Sequence, residues 1–192
     1  STVERGGAEM ATVVIKVPFE QIPVANGDYL EIWALNSGET VPRWRGIVNV
    51  PERGLATNEK HTITAYGRME DMSHAVMDII DLNPGTNIVG GQVTAGGDLS
   101  IYAARILNSY IARISQSTTT YQPWTAFVRD IETTRVNLVR LDATDTTCRS
   151  AMDALADQGG ANIVWGWDID PVTGADRFYL RLRGSTVGSQ FY

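Results

Sequence analysis

Residues 43–80 read RWRGIVNVPERGLATNEKHTITAYGRMEDMSHAVMDII, and this stretch decides the fold class. It consists of two strands joined by a turn, the second running straight into an amphipathic helix. Arg43 to Val50 make the first strand and Lys60 to Arg68 the second, where branched isoleucine and threonine side chains suit a pleated surface. Pro51, Gly54 and the polar Thr57-Asn58-Glu59 interrupt the pattern between them. After Gly67 the apolar period lengthens from two to about four, and Met72, Val76, Met77 and Ile80 fall on one stripe. A helix is therefore expected from residue 69 through Ile80. Strands feeding a helix are architecture, and nothing in the stretch asks for catalysis.

Upstream, the pattern stays extended. Val13, Ile15 and Val17 alternate with Thr12, Val14 and Lys16. Asn26-Gly27-Asp28 makes a turn, then Leu30, Ile32 and Ala34 alternate with Glu31 and Trp33, and Ser37-Gly38-Glu39 turns the chain again. Strands so evenly spaced suggest a small barrel or sandwich.

Downstream, Asn83-Pro84-Gly85 is expected to end the first helix, since proline cannot continue the hydrogen-bond ladder. Residues 83–98, with Gly90-Gly91 and Gly96-Gly97, read as a glycine-rich loop. A second helix spans about Leu99 to Ile114, with Asp98 as N-cap and Leu99, Tyr102, Ala103, Ile106, Tyr110 and Ile114 on one face. Ser115 to Tyr121 reads as a linker.

The last zone returns to strands. Val136, Leu138 and Leu141 lie in an extended run ending at Asp142. A helix follows from Thr146 to Asp157, burying Cys148, Ala151, Met152, Leu155 and Ala156, and Gly159-Gly160 stops it. A hairpin closes the chain: Asn162 to Asp170, the turn Pro171-Val172-Thr173-Gly174, and Asp176 to Arg183. Ile163, Trp165, Trp167 and Ile169 share one face; Phe178, Leu180 and Leu182 alternate with Arg177, Tyr179, Arg181 and Arg183. The expected class is α+β, with two small β-barrel-like modules and a helical insertion between them. Residues 1–68 form the first module, 69–125 the insertion with its glycine-rich loop, and 126–192 the second module with one helix and the hairpin.

Composition narrows the function classes. The chain has 192 residues, 43% apolar and 20% charged, as in a globular protein able to bury a core. Its longest apolar runs, such as TVVIKV and ANIVWGW, are far too short to cross a bilayer, and no secretory signal opens the chain. Ser1 and the trailing RGSTVGSQFY suggest a processed chain or part of a longer one. Cys148 is the single cysteine, which rules out an internal disulfide and argues against a cysteine-built zinc site. A net charge of −6 argues against holding nucleic acid by its phosphates.

Each tempting site has a plainer reading. Asp168, Asp170 and Asp176 near Gly174 could hold calcium, yet the spacing is not that of an EF-hand, and hairpin aspartates commonly bond the backbone. Trp165 and Trp167, with Trp33, Trp44 and Trp124, could form a carbohydrate platform; flanked by Ile163 and Ile169, the first two read as core. Cys148 sits on an inward helix stripe, and neither His61 nor His74 lies in a motif that would make it a base. None of the 22 acidic residues stands out as a glycosidase pair. The glycine doublets lack the lysine of a phosphate loop. Arg43, Arg45 and Arg53, with Arg177, Arg181 and Arg183, read as solvated strand faces or subunit contacts, contact being favoured because arginine is enriched at interfaces. No catalytic, cofactor-binding or metal residue is therefore assigned, and no cofactor is expected.

Three segments, in order, resemble the tail hub (baseplate hub) proteins of tailed bacteriophages. Asn26-Gly27-Asp28-Tyr29-Leu30-Glu31-Ile32 is similar to a turn and strand near the start of those proteins. Trp44-Arg45-Gly46-Ile47-Val48 followed by Thr62-Ile63-Thr64-Ala65-Tyr66-Gly67-Arg68 resembles their strand pair ending in Gly-Arg. The run from Cys148 to Arg183, with Leu155-Ala156-Asp157-Gln158-Gly159-Gly160 and Trp165-Gly166-Trp167-Asp168, resembles their helix–strand–turn–strand segment. The resemblance implies a non-enzymatic virion protein of the tail tip, assembled in the host cytoplasm. It would form a homotrimer offering six similar modules to the sixfold tail tube and threefold symmetry to the tip. Its implied partners are tail tube and distal tail proteins and the tape measure, tip or fibre proteins. DNA would leave through its lumen without sequence-specific binding. The rival expectations are a tail-associated cell-wall hydrolase, which needs a clustered acid–base pair, and a receptor- or carbohydrate-binding tip module, which needs exposed aromatics.

Overall fold

The computed structural model describes residues 10–16, 24–33, 38, 40–49, 60–77, 88–89, 92–94, 97–116, 126–142 and 145–183. Within them, Met10–Ile15 (β1), Tyr29–Ile32 (β2), Trp44–Val48 (β3) and His61–Tyr66 (β4) form an antiparallel sheet in the order β1-β4-β3-β2. The alternation expected from the sequence sets its faces. Val13, Ile15, Leu30 and Trp44 pack around buried Val48, Ile63 and Ala65. Gly27, at a φ of 88°, lets the turn before β2 fold tightly, and its amide donates to Val48 O at 2.9 Å. Gly46 sits where β3 and β4 approach closely; a Cβ there would lie 2.8 Å from Tyr66 O.

The next helix, α1, covers Arg68–His74 and stops well short of Ile80. Ala75 is already extended, and residues 75–77 run beside residues 146–148. Met77 N donates to Thr146 O (2.8 Å) and Cys148 N to Ala75 O (2.7 Å). A distant segment thus takes the backbone groups that a longer helix would have used, which the apolar stripe did not foretell. Residues 78–80 and Asn83-Pro84-Gly85 lie outside the described residues.

The glycine-rich stretch is more than a loop. Ile88–Val89 (β5) and Gln92–Thr94 (β6) pair as a short hairpin, and β6 pairs antiparallel with Arg140–Asp142 (β8). Strands this short carry no readable period, and their partner comes from far downstream. The helix α2, Leu99–Gln116, follows as expected. Val128–Ile131 (β7) was not anticipated; its sequence, VRDI, carries no period of two, and its parallel partner, β10, comes from far downstream. The extended run expected around Val136 contracts to β8. Before it, the backbone serves the start of α2: Leu99 N donates to Val136 O and Leu138 N to Gly97 O.

The helix α3, Cys148–Gln158, begins at Thr147, whose hydroxyl accepts from Ser150 N at 3.1 Å. A 3-10 turn, Gly160–Asn162, with Gly160 at φ 62°, swings the chain into the hairpin of β9 (Ile163–Ile169) and β10 (Asp176–Leu182). This hairpin matches the expectation closely, with Asp176 opposite Ile169 and Leu182 opposite Ile163. The sheet order is β7-β10-β9. Its inner face, with Trp165, Trp167, Phe178 and Leu180, shares one core with α1, α2 and α3. The architecture is α+β. No helix among the described residues is long and apolar enough to cross a membrane.

Candidate functional site

The polar joint between the first sheet and the hairpin starts at Gly67-Arg68, where β4 hands over to α1. Arg68 is 4% exposed. Its Nε donates to Asp176 Oδ2 at 2.8 Å, and its guanidinium lies 5.2 Å from the ring centre of Phe127 and 5.1 Å from that of Trp167. Asp176 opens β10 and is itself buried. Its other oxygen, Oδ1, stands 3.6 Å from Nη1 of Arg45, on β3. Arg45 also donates through Nη2 to Gly174 O (3.2 Å) and through Nε to Glu31 Oε1 (2.8 Å). One carboxylate is thus shared by two guanidiniums from different parts of the fold. Burial pushes the adjacent Tyr29 phenol up, and the charges of Arg68 and Arg45 oppose that rise.

A cleft of about 300 Å³ opens beside this joint, with Ile32 and Trp44 on the sheet side and Trp167 and Ile169 on the hairpin side. That volume is at the small end of ligand sites. A second crevice, about 240 Å³, lies between Ile47 and Tyr66 of the sheet and Asp71 and His74 of α1. Chemically the joint is an electrostatic clasp. Its carboxylate is flanked by two guanidiniums, one of them buried.

The hairpin aspartates are engaged within the chain, Asp168 and Asp170 both reaching the Arg177 guanidinium. Asp168 takes a bidentate pair from Arg177 (2.8 and 2.7 Å), the residue directly opposite it in the ladder. Asp170 accepts from the amides of Val172 (2.9 Å) and Thr173 (2.8 Å), the backbone role expected of a turn aspartate; the Thr173 amide leads in holding its carboxyl below the ordinary range. Asp176 serves Arg68 instead. Among the described residues no group of His, Cys, Asp and Glu is arranged to hold a metal ion.

The arginines need correcting. Arg45, Arg177 and Arg181 are not freely solvated strand faces; each forms an ion pair within the chain. Arg181 reaches Asp130 on β7 and lies 5.0 Å from the ring centre of Tyr179. Cross-strand register sets Glu31 opposite Arg45 and Asp168 opposite Arg177, whereas Arg181 reaches Asp130 diagonally, since Asp130 lies opposite Tyr179. Arg43 and Arg183 are exposed, and Arg53 lies outside the described residues.

Trp165 is 1% exposed and donates from Nε1 to Asp153 (3.1 Å); Trp167 is buried against Phe127, Tyr110 and Phe178. Both are core, as expected from their isoleucine neighbours. Trp44 belongs to the smaller core, Trp33 is half exposed, and Trp124 lies outside the described residues. Cys148 is fully buried on α3. His61 is buried in β4, while His74 is exposed and faces Glu70 at 3.2 Å.

Two polar centres escaped the sequence reading. One is the Arg68–Asp176 pair. The other is the reach of Asp98. Beyond capping α2 through Ser100 N (2.9 Å), it accepts from the amide and hydroxyl of Thr134 (both 3.0 Å) and from Arg135 N (2.5 Å). Burial pushes the Asp98 carboxyl up, but the bonds from Ser100 and Thr134 outweigh it and bring it down to about 2. The cap was legible; its second set of donors was not, since Thr134 carries no local signal.

No family model matches the chain. No curated protein matches it either. Among solved structures it is similar to the 43 kDa tail protein of prophage MuSo2 from Shewanella oneidensis, at 14% identity and a TM-score of 0.49. The alignment covers 90% of this chain and 43% of that one, so the chain spans less than half of that protein's length.

Proposed function

We propose that this chain is a structural component of a bacteriophage tail tip. It acts as a hub: a homotrimeric ring of barrel-like modules that adapts the sixfold tail tube to the threefold tip and lines the DNA ejection channel. Its neighbours are tube and distal tail proteins on one side and tape measure, tip or fibre proteins on the other. The carrying observation is that the three hub-like segments keep their order and that their marked residues do architectural work. Gly27 closes the turn onto Val48, Gly46 lets β3 approach β4, Arg68 ties the first strand pair to Asp176, and Gly160 turns α3 into the hairpin. The net charge of −6 suits a wall past which phosphates must slide without sticking.

Three of the described acidic side chains are engaged as clasps: Asp98 with Thr134, Asp168 with Arg177, Asp176 with Arg68. The test is mass in solution, alone and with tail tube protein. A trimer, or ring formation with the tube protein, is expected. A stable monomer that clears peptidoglycan would overturn the reading, and a strongly positive lumen in an assembled ring would remove the charge argument.

A further inference from the structure

We infer that the cleft between the first sheet and the hairpin is a hinged cleft, opening about Gly67 with Arg45 as its latch. The inference stands apart from the tail-tip reading. The two hydrophobic clusters are separate: Val48, Ile63 and Ala65 centre the small one, and the helices and hairpin make the large one. Among the described residues of the first sheet, Ile47 is the side chain that packs onto the larger core. Crevices of about 300 and 240 Å³ open along the joint, one beside Trp44 and one beside Ile47, and Arg45 bridges it through Gly174 and Asp176.

The chain crosses between the two bodies at Gly67, which is extended (φ −79°, ψ 177°) and gives α1 no side-chain cap. Hinges are a few element-terminal residues of this kind. Across the joint, the two arms on Asp176 are unequal. Arg68 belongs to α1, is buried and bonds at 2.8 Å; Arg45 belongs to the sheet, has a side chain 22% exposed and stands 3.6 Å away. When the sheet swings out, Arg45 gives up Gly174 O as well as Asp176 but keeps Glu31, on its own sheet, and Asp176 keeps Arg68. Opening therefore strands no buried charge, which is what normally makes such a motion costly. It draws Ile32 and Trp44 away from Trp167 and Ile169 and widens the cleft.

The test is a pair of spin labels on the intact chain, one at Thr12→Cys on β1 and one at Val172→Cys at the hairpin turn, both exposed; buried Cys148 escapes labelling. The parent should give one narrow distance distribution. Arg45→Ala should add a second population, lowering the closed-to-open ratio about fivefold, the upper range for a partly exposed ion pair. Arg45→Lys should restore part of the closed population. Raising salt to about 1 M in the parent, where screening reaches within ~3 Å, should mimic Arg45→Ala without any mutation. Distributions equally narrow in the parent, in Arg45→Ala and at high salt would overturn the latch. So would broadening that comes with loss of the near-ultraviolet signal of the Trp165 and Trp167 core, because that is unfolding and not a hinge.

Discussion

Arg68 and Asp176, 108 positions apart in the chain, meet at 2.8 Å in an ion pair that is nearly dry, with side-chain exposures of 3% and 6%. The pair carries the load at the handover from the strand sheet to the helical body. Phe127 and Trp167 close over the guanidinium and exclude water, which strengthens the pair and raises the cost of breaking one half of it.

Removing one partner should therefore hurt more than removing both. Asp176→Ala should destabilise the chain by about 3–5 kcal/mol, by leaving Arg68 buried with less compensation. Combining Arg68→Met with Asp176→Leu should recover much of that loss. Urea unfolding midpoints of the two singles and the double give the coupling directly. Additive losses would show that the pair is not acting as a unit.

Asp98 predicts an acid response. Its carboxyl titrates at about 2 in the fold against an ordinary 3.8, so the folded state favours the charged form. The stabilisation is full above pH 3.8 and fades as pH falls through about 2. At neutral pH, Asp98→Ala should cost about 1–2 kcal/mol, the range for a lost cap. Asp98→Asn should flatten the stability curve between those two values, read by thermal melts across the acid range.

Tyr110 predicts an alkaline response. Its hydroxyl donates to Asp71 Oδ2 at 2.5 Å, and burial first, then the Asp71 charge, pushes its phenol well above 10. The folded state favours the neutral phenol, so this contribution is full below pH 10 and is lost as pH rises above it. Tyr110→Phe should cost about 2 kcal/mol at neutral pH, as for a hydrogen bond to a charged group. Unfolding curves taken above pH 10 should bring parent and variant together.

Trp165 predicts a core effect without a binding effect. It is buried to 1% exposure, beside Phe178 and tied to Asp153. Trp165→Ala should cost about 3–5 kcal/mol. A milder variant, Trp165→Phe, should stay folded with its solution mass unchanged. Soluble glycans should leave the tryptophan fluorescence of the parent unmoved; a saturable glycan-dependent change would reopen the carbohydrate-platform reading.

The sequence spoke most clearly where structure is local. The β9–β10 hairpin was legible because Ile163, Trp165 and Trp167 alternate and Pro171 to Gly174 turn the chain. The helices α2 and α3 were legible because apolar residues recur at helical spacing, behind the Asp98 cap in α2 and from Cys148 to Ala156 in α3. It was least informative where chain segments choose distant partners. Met77 and Ile80 continue the stripe of α1, yet residues 75–77 leave the helix to run beside residues 146–148. The lack of a period of two hides β7, and the brevity of β5 and β6 hides them within the glycine-rich stretch.

The candidate site divides along the same line. That Arg45, Arg68 and Asp176 are charged, and that Arg68 and Asp176 fall at the ends of expected strands, is written in the chain. That Asp176 lies between the two guanidiniums is decided by how the sheet docks on the hairpin. Periodicity, caps and turns act within a few residues, so the sequence by itself determined the α+β class, the closing hairpin and the buried tryptophans. Pairing across many residues depends on shared burial and register, which no local pattern encodes. Tertiary structure therefore decided where α1 stops, which strands pair β6 and β10, and where the clasp forms.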